Sequence, residues 1–235
     1  MNLGNQNFTL IVSDFLSLFF PNYCTLCNLT LSKSENLVCS HCLSNLNRTN
    51  LHRDQPNQLH RRFFEIPNLH YVMSYTWFQK DTAIQELLHQ LKYEGNEAIG
   101  LLLGEYYGKE LSQYFFGEWD LITTVPIHYK KQRKRGYNQS DLIAEGMSLA
   151  LNIPFEPLIV KAVNKKSQTK KDRLERFDNV ESSFQLLNPN RSLRDKNILL
   201  VDDVVTTGAT LQASSQPLIR AGAEISIATI AATRS

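Results

Sequence analysis

The chain has 235 residues, of which 42% are hydrophobic and 20% charged, with 10 glycines and 8 prolines. These values are typical of a globular protein, and they exclude a wholly disordered, collagen-like or low-complexity chain. The formal net charge is only +2, but cations are concentrated in two segments: residues 130–135 hold five cations and no anion, and residues 161–176 hold seven cations and two acids. This distribution indicates an anionic ligand, although two solvated surfaces remain an alternative.

The first predicted element is a helix over residues 8–20. Its apolar side chains recur at the spacing of one helix face: Phe8, Ile11, Val12, Phe15, Leu16 and Phe19. The segment is too short and too polar to cross a membrane, which takes about 20 apolar residues, and no cation precedes it as in a secretory signal. We therefore expect no membrane span, a cytoplasmic location, and a helix that packs on its own protein rather than on a partner.

All four cysteines follow closely, as two C-x2-C pairs separated by 11 residues: Cys24, Cys27, Cys39 and Cys42. Each pair can aim two thiolates at one ion, and two pairs complete the tetrahedral sulfur site that suits structural Zn2+. Two disulfides are the alternative, but they are uncommon in a reducing compartment. His41 could replace one thiolate, although we expect it to be a solvated turn residue. Binding of the ion would supply about 10 kcal/mol of the folding energy of this short module.

Residues 47–68 are polar and rich in turn formers, which predicts a linker or irregular cover. We place a domain boundary inside this region, with the helix and zinc module in residues 1–55 and a larger domain in residues 56–235. In the larger domain, strands are predicted at residues 71–78, 121–125, 198–201 and 225–232, and helices at residues 82–91, 98–116, 141–151 and 211–220. This alternation predicts an α/β domain with a mostly parallel sheet.

The second of these helices carries a glycine at every fourth position: Gly100, Gly104 and Gly108. One face of the helix therefore lacks side chains, and we expect it to pack closely against the sheet.

The most informative segment is residues 198–211, which read ILLVDDVVTTGATL. A buried strand ends in two acids, and a threonine-rich turn then leads into a helix that begins near Ala209. Hydroxyls and backbone N–H groups that meet at a helix N-terminus form a cradle for phosphate. Asp202 and Asp203 would repel phosphate, so we expect them to accept hydrogen bonds from a sugar diol or to hold Mg2+ through water.

This segment resembles the signature of type I phosphoribosyltransferases, which bind phosphoribosyl pyrophosphate. With the four cysteines, residues 91–96 (LKYEGN), residues 125–139 and the pattern at Gln168, Thr169, Arg173, Arg176, Asn179 and Val180, most of the chain resembles the ComF family. Proteins of that family join a four-cysteine zinc module to a phosphoribosyltransferase domain. The resemblance therefore implies a type I phosphoribosyltransferase fold.

The resemblance also implies roles for individual residues. Asp202 and Asp203 would bind the ribose hydroxyls, and Lys92 with Tyr93 would face the pyrophosphate. Residues 125–139 would form a flexible catalytic loop, in which we favour Arg133 and Arg135 as contacts to the departing pyrophosphate. These two arginines, Lys92 and the two acids are the candidate catalytic residues. The ligand-binding set continues through the loop that holds the 5′-phosphate: Val204, Thr206, Thr207, Gly208, Ala209 and Thr210.

The function implied is binding of phosphoribosyl pyrophosphate with Mg2+ and transfer of the phosphoribosyl group to a nitrogen acceptor. Tyr93 and Tyr137 could stack on that acceptor or simply pack. The alternative is a protein that senses the ligand without turnover, or a module that binds single-stranded DNA or a competence helicase, because the ComF family is associated with natural competence and DNA uptake.

Overall fold

The structure, a computed structural model, describes residues 21–161 and 184–234. The predicted helix over residues 8–20, all of the second basic segment except Lys161, and the family pattern at residues 168–180 lie outside the described residues. The chain divides into two compact units between Leu46 and Asn47. Residues 47–55, which we assigned to the N-terminal domain, fall in the second unit: Arg48 forms a β-bridge with Thr76, and the Thr49 N–H donates to the Tyr75 carbonyl at 3.1 Å.

The first unit is built from two tight turns around the cysteines. Tyr23 and Thr30 form an isolated antiparallel bridge, and helix α1 (Ser40–Ser44) begins directly after Cys39 and contains Cys42. Cys39 is the N-cap of α1, where its sulfur accepts a hydrogen bond from the Cys42 N–H. Cys24, Val38 and Leu43 are buried in this small unit.

The second unit contains a four-stranded parallel sheet. Its strands are β1 (Leu69–Phe78), β2 (Leu121–Thr124), β5 (Asn197–Val205) and β6 (Glu224–Thr233), in the spatial order β1-β6-β5-β2. The central strand β5 is completely buried from Ile198 to Val201, as its continuous apolar run predicts. A separate antiparallel pair, β3 (Ile159–Lys161) with β4 (Phe184–Leu186), was not predicted. The predicted α/β class with a mostly parallel sheet is confirmed.

The helices of this unit are α2 (Ala83–His89), α3 (Ala98–Ser112), α4 (Tyr129–Arg135), α5 (Gln139–Leu151) and α6 (Ala209–Arg220). A π-helical turn, Gln90–Glu94, continues α2 and ends at Gly95. The segment over residues 47–68 is an ordered cover rather than a linker, because its two 3-10 helices, Leu51–Arg53 and Gln58–Phe63, bury Leu59 and Phe63 in the core. Residues 129–135 form a helix where we expected a flexible loop.

The glycine face of α3 does pack closely, but its partner is helix α5 and not the sheet. A Cβ on Gly104 would lie 2.0 Å from the carbonyl oxygen of Ile143, and one on Gly146 would lie 2.2 Å from that of Leu101. The two helix backbones therefore touch. The expectation of a sheet partner was wrong because α5 carries its own glycine at the matching position, which lets two helices approach each other.

Candidate functional site

The two acids lie near the C-terminal end of β5. Asp202 is half-buried, and its Oδ1 accepts hydrogen bonds from the Ser140 hydroxyl and from the Asp203 N–H, both at 2.9 Å. Burial, together with the neighbouring charge of Asp203, raises the pKa of the Asp202 carboxyl. The charged form of the Asp202 carboxyl is therefore disfavoured in the unliganded site, and the Ser140 hydroxyl fixes the orientation of this side chain.

Lys92 reaches the second acid from the other side of the site. Its Nζ lies 2.6 Å from Asp203 Oδ2, and Asp203 is only 6% exposed. Lys92 belongs to the π-helical turn, in which the helix is wider than an α-helix, just before the left-handed Gly95 (φ +74°). The structure thus brings two predicted site residues together, although they are separated by more than 100 positions in sequence.

The threonine-rich turn joins β5 to α6. Gly208 is the N-cap of α6 with φ +89°, a conformation that glycine adopts without strain. The Thr207 hydroxyl accepts a long hydrogen bond from the Ala209 N–H at 3.4 Å. A small open pocket lies here, lined by Asp202, Val204, Val205, Thr206, Thr207, Gly208, Ala209, Thr210 and Leu211. Free N–H groups and the positive end of the helix dipole suit this pocket to an anion.

The 3-10 helix Gln58–Phe63 supports this turn from outside the pocket. Arg62 donates to the carbonyl oxygens of Thr206 at 2.5 Å and Thr233 at 2.6 Å. A Cβ on Gly208 would lie 2.9 Å from the ring of Phe63. Arg62 could not be identified from the sequence, because nothing in the polar segment around it indicates its distant partners.

The basic helix α4 lies beside the π-helical turn. The Arg135 guanidinium sits over the exposed Tyr93 ring, 5.1 Å from its centroid, and donates to the Gln139 side chain at 2.7 Å. The Tyr137 hydroxyl donates to the Leu91 carbonyl. Arg133 is exposed on α4, and no side chain of this helix is buried. Of the two predicted arginines, Arg135 is therefore the one held against Tyr93, the residue that follows Lys92 in the chain.

A buried polar cluster fixes the start of α5, on which Ser140 lies. Asp141 accepts from the Thr124 hydroxyl at 2.6 Å and from the Asn138 amide at 2.7 Å, and the same amide donates to the Val125 carbonyl at 3.2 Å. Burial raises the pKa of Asp141. These contacts tie both ends of the segment that carries α4 to the edge of the sheet.

In chemical terms, the second unit offers three functions within one region. The pocket offers backbone donors and hydroxyls to a phosphate, and Asp202 offers carboxylate oxygens to hydroxyl groups or to a hard cation. Lys92 supplies positive charge beside Asp203, and Arg135 lies over the ring of the adjoining Tyr93. Such an arrangement suits a phosphorylated sugar with a second anionic group.

The four cysteines of the first unit form a separate candidate metal centre. Their sulfur atoms all lie within 4.8 Å of one another, and those of Cys27 and Cys39 are 3.6 Å apart. A tetrahedral Zn2+ with Zn–S bonds of about 2.3 Å places sulfur atoms roughly 3.8 Å apart, so the four thiols fit such an ion. Burial raises the pKa of the Cys24 thiol, but N–H groups directed at its sulfur outweigh burial and lower it to about 6. All four cysteines are free of disulfides.

Glu35 organises the turn before the second cysteine pair, a role the sequence analysis did not assign. Its carboxylate accepts from the Ser40 N–H at 2.6 Å and the Ser32 N–H at 2.9 Å. These two bonds lower the pKa of Glu35 to about 2. His41 is exposed, as expected, but it lies in helix α1 rather than in a turn, and its ring contacts the Asn45 side chain.

Comparison with known proteins matches residues 139–235 to the phosphoribosyl transferase domain model. Competence protein F of Haemophilus influenzae is 36% identical over 109 residues, which cover 45% of this chain, and the chain spans only 46% of that relative. Competence protein ComFC of Bacillus subtilis is 26% identical over 219 residues, 88% of each protein. A solved glutamine phosphoribosylpyrophosphate amidotransferase from B. subtilis overlaps 60% of this chain and 30% of its own, with 20% identity and a TM-score of 0.41.

The parallel sheet and the matched domain define the second unit as a phosphoribosyltransferase domain. With the clustered cysteines and the competence-protein relatives, they confirm the predicted family: the chain is a ComF family protein. Over residues 21–161 and 184–234, the helices are all too short or too polar to traverse a bilayer.

Proposed function

We propose that the chain binds phosphoribosyl pyrophosphate with Mg2+ and transfers its phosphoribosyl group to a nitrogen acceptor. The observation that carries this proposal is the open pocket at the start of α6, bordered by Asp202 and by the turn from Val204 to Leu211. The 5′-phosphate would lie on the backbone of this turn. The ribose hydroxyls would donate to the acidic pair, and Lys92 with the Lys92–Tyr93 backbone would face the pyrophosphate.

The reaction would be a substitution at C1 of the ribose. The bond from C1 to the pyrophosphate oxygen breaks with both electrons going to pyrophosphate, and a nitrogen lone pair of the acceptor forms the new bond and releases a proton. Arg135, with Arg133 from the exposed face of α4, would stabilise the departing pyrophosphate and exclude water. Bound Mg2+ would neutralise part of the charge on the pyrophosphate. The acidic pair, whose hard oxygen ligands suit Mg2+, would hold it through water.

Calorimetry with phosphoribosyl pyrophosphate and Mg2+ tests the binding step. We expect the wild type to bind, and the double variant Asp202→Asn/Asp203→Asn to bind at least tenfold more weakly, roughly the effect of losing one charge-assisted hydrogen bond. Asp195→Asn is the matched control, because Asp195 is exposed in the turn before β5, at the opposite end of the strand, with a φ of +60° that asparagine tolerates. Equal binding by the double variant, or none by the wild type, would contradict the proposal.

Pyrophosphate release with a panel of purine, pyrimidine and amine acceptors then separates an enzyme from a sensor. Release that depends on one acceptor supports transfer. Binding without release for any member of the panel supports the non-catalytic alternative, in which the same pocket detects the ligand.

We propose further that the cysteine centre holds structural Zn2+ and that the protein works in the cytoplasm. The fit of four free thiols to a tetrahedral ion supports the first point, and thiols that must stay reduced to bind the ion favour the second. All four ligand positions would be filled by sulfur, so this ion would stabilise the module and take no part in the reaction.

The exposed helix α4 favours single-stranded DNA as a second candidate ligand, and the association of the ComF family with DNA uptake favours a competence helicase as a partner. Five cations line α4, and the exposed rings of His128 and Tyr129 at its start lie 4.6 Å apart. Cations with neighbouring aromatic rings can follow a nucleic-acid backbone and stack on bases. Affinity for an oligonucleotide, measured against salt concentration, tests this candidate. A steep slope supports backbone contacts, and a slope near zero rules them out.

A further inference from the structure

Arg62 joins the ends of two neighbouring strands. Its guanidinium donates from Nη1 to the Thr206 carbonyl at 2.5 Å and from Nη2 to the Thr233 carbonyl at 2.6 Å. Thr206 follows the last residue of β5, and Thr233 is the last residue of β6. Hydrogen bonds from a charged donor are about twice as strong as neutral ones, so the Arg62 side chain holds the two strand ends firmly together. It is half-buried, which limits competition by water.

The bond to Thr206 also fixes the direction of the next N–H group. Among the described residues, the cis peptide bond identified is Gln55–Pro56, and the Thr206–Thr207 peptide is trans. In a trans peptide the C=O and the following N–H point in opposite directions. Because the Thr206 carbonyl points at Arg62, the Thr207 N–H points away from it. Neither Arg62 nor Phe63 lines the pocket, whereas Thr206, Thr207 and Gly208 do.

The same 3-10 helix restrains the turn at a second point. The buried Phe63 ring packs directly against Gly208, because a Cβ on Gly208 would lie only 2.9 Å from the edge of that ring. One turn further along, the Gln212 amide of α6 donates to the Glu65 carboxylate. The turn is therefore backed along its length by residues 62–65, and it has little freedom to rotate its peptides.

We propose that Arg62 is a positioning residue for phosphate: it holds the turn Thr206–Gly208 so that the backbone N–H groups face a phosphate monoester in the pocket. Arg62 does not itself contact the ligand. The inference rests on the proposed function, because the monoester it prepares for is the 5′-phosphate of the sugar. It predicts that the two ends of the substrate respond differently to loss of Arg62.

Calorimetry with two partial ligands tests this difference. Ribose 5-phosphate probes the turn, and pyrophosphate with Mg2+ probes the Lys92 side. In Arg62→Met we expect roughly tenfold weaker binding of ribose 5-phosphate, the effect of losing one hydrogen bond from a backbone N–H of the turn to the charged phosphate. Binding of pyrophosphate should be unchanged. Arg62→Lys can satisfy one carbonyl at a time and should lie between Arg62→Met and wild type. Arg61→Met is the matched control, since Arg61 is the exposed neighbour on the same helix.

Hydrogen exchange of the free proteins gives a second readout that needs no ligand. Exchange at residues 206–209 should be faster in Arg62→Met than in Arg61→Met, while exchange in β2 stays the same. If Arg62→Met does not fold, the comparison is made with Arg62→Lys. Should the wild type bind phosphoribosyl pyrophosphate while the Arg62 variants bind ribose 5-phosphate equally well, the positioning role is wrong and the proposed function stands. Equal weakening of both partial ligands would show a general structural role and also overturn it. Failure of the wild type to bind phosphoribosyl pyrophosphate or either partial ligand would remove the proposed function and this inference together.

Discussion

The charged form of Asp202 destabilises the folded state. The side chain is half-buried and stands next to Asp203, and these two effects outweigh the hydrogen bond from Ser140, so the pKa of Asp202 is raised. A carboxyl with a raised pKa is stabilising while protonated. That contribution is complete below the ordinary pKa of aspartate, and it is lost as the pH rises through the folded-state pKa. The unliganded protein is therefore expected to be least stable where both acids are charged, which is also where they can accept hydrogen bonds from a diol.

Replacing this charge should stabilise the protein at high pH. At pH values above the folded-state pKa of Asp202, we expect Asp202→Asn to raise Tm. The increase should be about 2–4 °C if removal of the charge stabilises the folded state by about 1 kcal/mol. The gain should vanish near pH 4, where the wild-type group is protonated. Thermal unfolding measured across this range checks the prediction.

Asp120→Asn is the opposing control for this experiment. Asp120 accepts from the Asn197 N–H and from Lys196, and these bonds lower its pKa. Its loss should slightly reduce Tm at neutral pH, because a lowered pKa contributes stability above the ordinary value. A destabilised Asp202→Asn at high pH would mean that the hydrogen bond from Ser140 outweighs the charge.

Single residues also mark what the sequence could and could not predict. The acids and the turn that follows form one continuous segment, so their common location was predictable from the pattern of strand, acids, threonines and helix. Ser140 and Arg62 were not predictable, because their partners lie 62 and 144 positions away. An isolated serine or arginine carries no local pattern. The roles assigned to the site residues stay predictions until ligand binding is measured.

At the level of elements, strands and helices with a clear apolar period were predicted within a few residues. β5 runs four residues beyond its predicted end, because Asp202 interrupts the apolar pattern while its backbone still pairs beside Thr229 of β6. Helix α4 was missed because it has no apolar face at all: it is held by its caps, His128 at the start and Gly136 at the end. Hydrophobic periodicity reports burial and cannot detect a helix that buries nothing.

The contact between α3 and α5 gives a prediction for a pair of elements. Gly104→Ala should lower the free energy of unfolding by about 1–3 kcal/mol or more, because the added methyl group would meet the Ile143 backbone, which cannot rotate away. Intrinsic helix propensity alone predicts the opposite sign, since alanine favours a helix over glycine by about 1 kcal/mol. Urea unfolding measures the difference.

Lys109→Ala is the control on the same helix. Lys109 is exposed, pairs with Glu105 one turn away and lies 6.0 Å from the centre of the Tyr106 ring on the same helix, so its loss should change stability by about 0.5 kcal/mol or less. A stabilised Gly104→Ala would show that the two helices separate at little cost and that the close approach is not required.

At the scale of the whole molecule, the two compact units should depend differently on metal. Chelation of Zn2+ is expected to unfold the cysteine unit, because its short turns bury too little apolar surface to hold together without the ion. The parallel sheet has its own core and should remain folded. Hydrogen exchange with and without a chelator should show lost protection at residues 24–43 and unchanged protection at residues 198–201.

Two variants sharpen this experiment. Cys39→Ser should mimic chelation, and His41→Ala should behave as wild type, since the four clustered sulfur atoms would complete the coordination shell of the proposed ion. Metal analysis of the purified protein is the direct check. A protein that contains no zinc and keeps protection at residues 24–43 would contradict the assignment.

The order of the strands has a consequence for synthesis. β6 is synthesised after the other three strands of the described sheet, yet it inserts between β1 and β5. Until residue 233 has been translated, β1 lacks the neighbour with which it pairs in the described sheet, and the carbonyl that receives the second Arg62 bond does not exist. The described sheet can therefore be completed only after its last strand has been translated, and until then the backbone edge of β1 has no strand to pair with. Loss of β6 would leave β1 unpaired and β5 joined only to β2, rather than a shortened version of the same sheet.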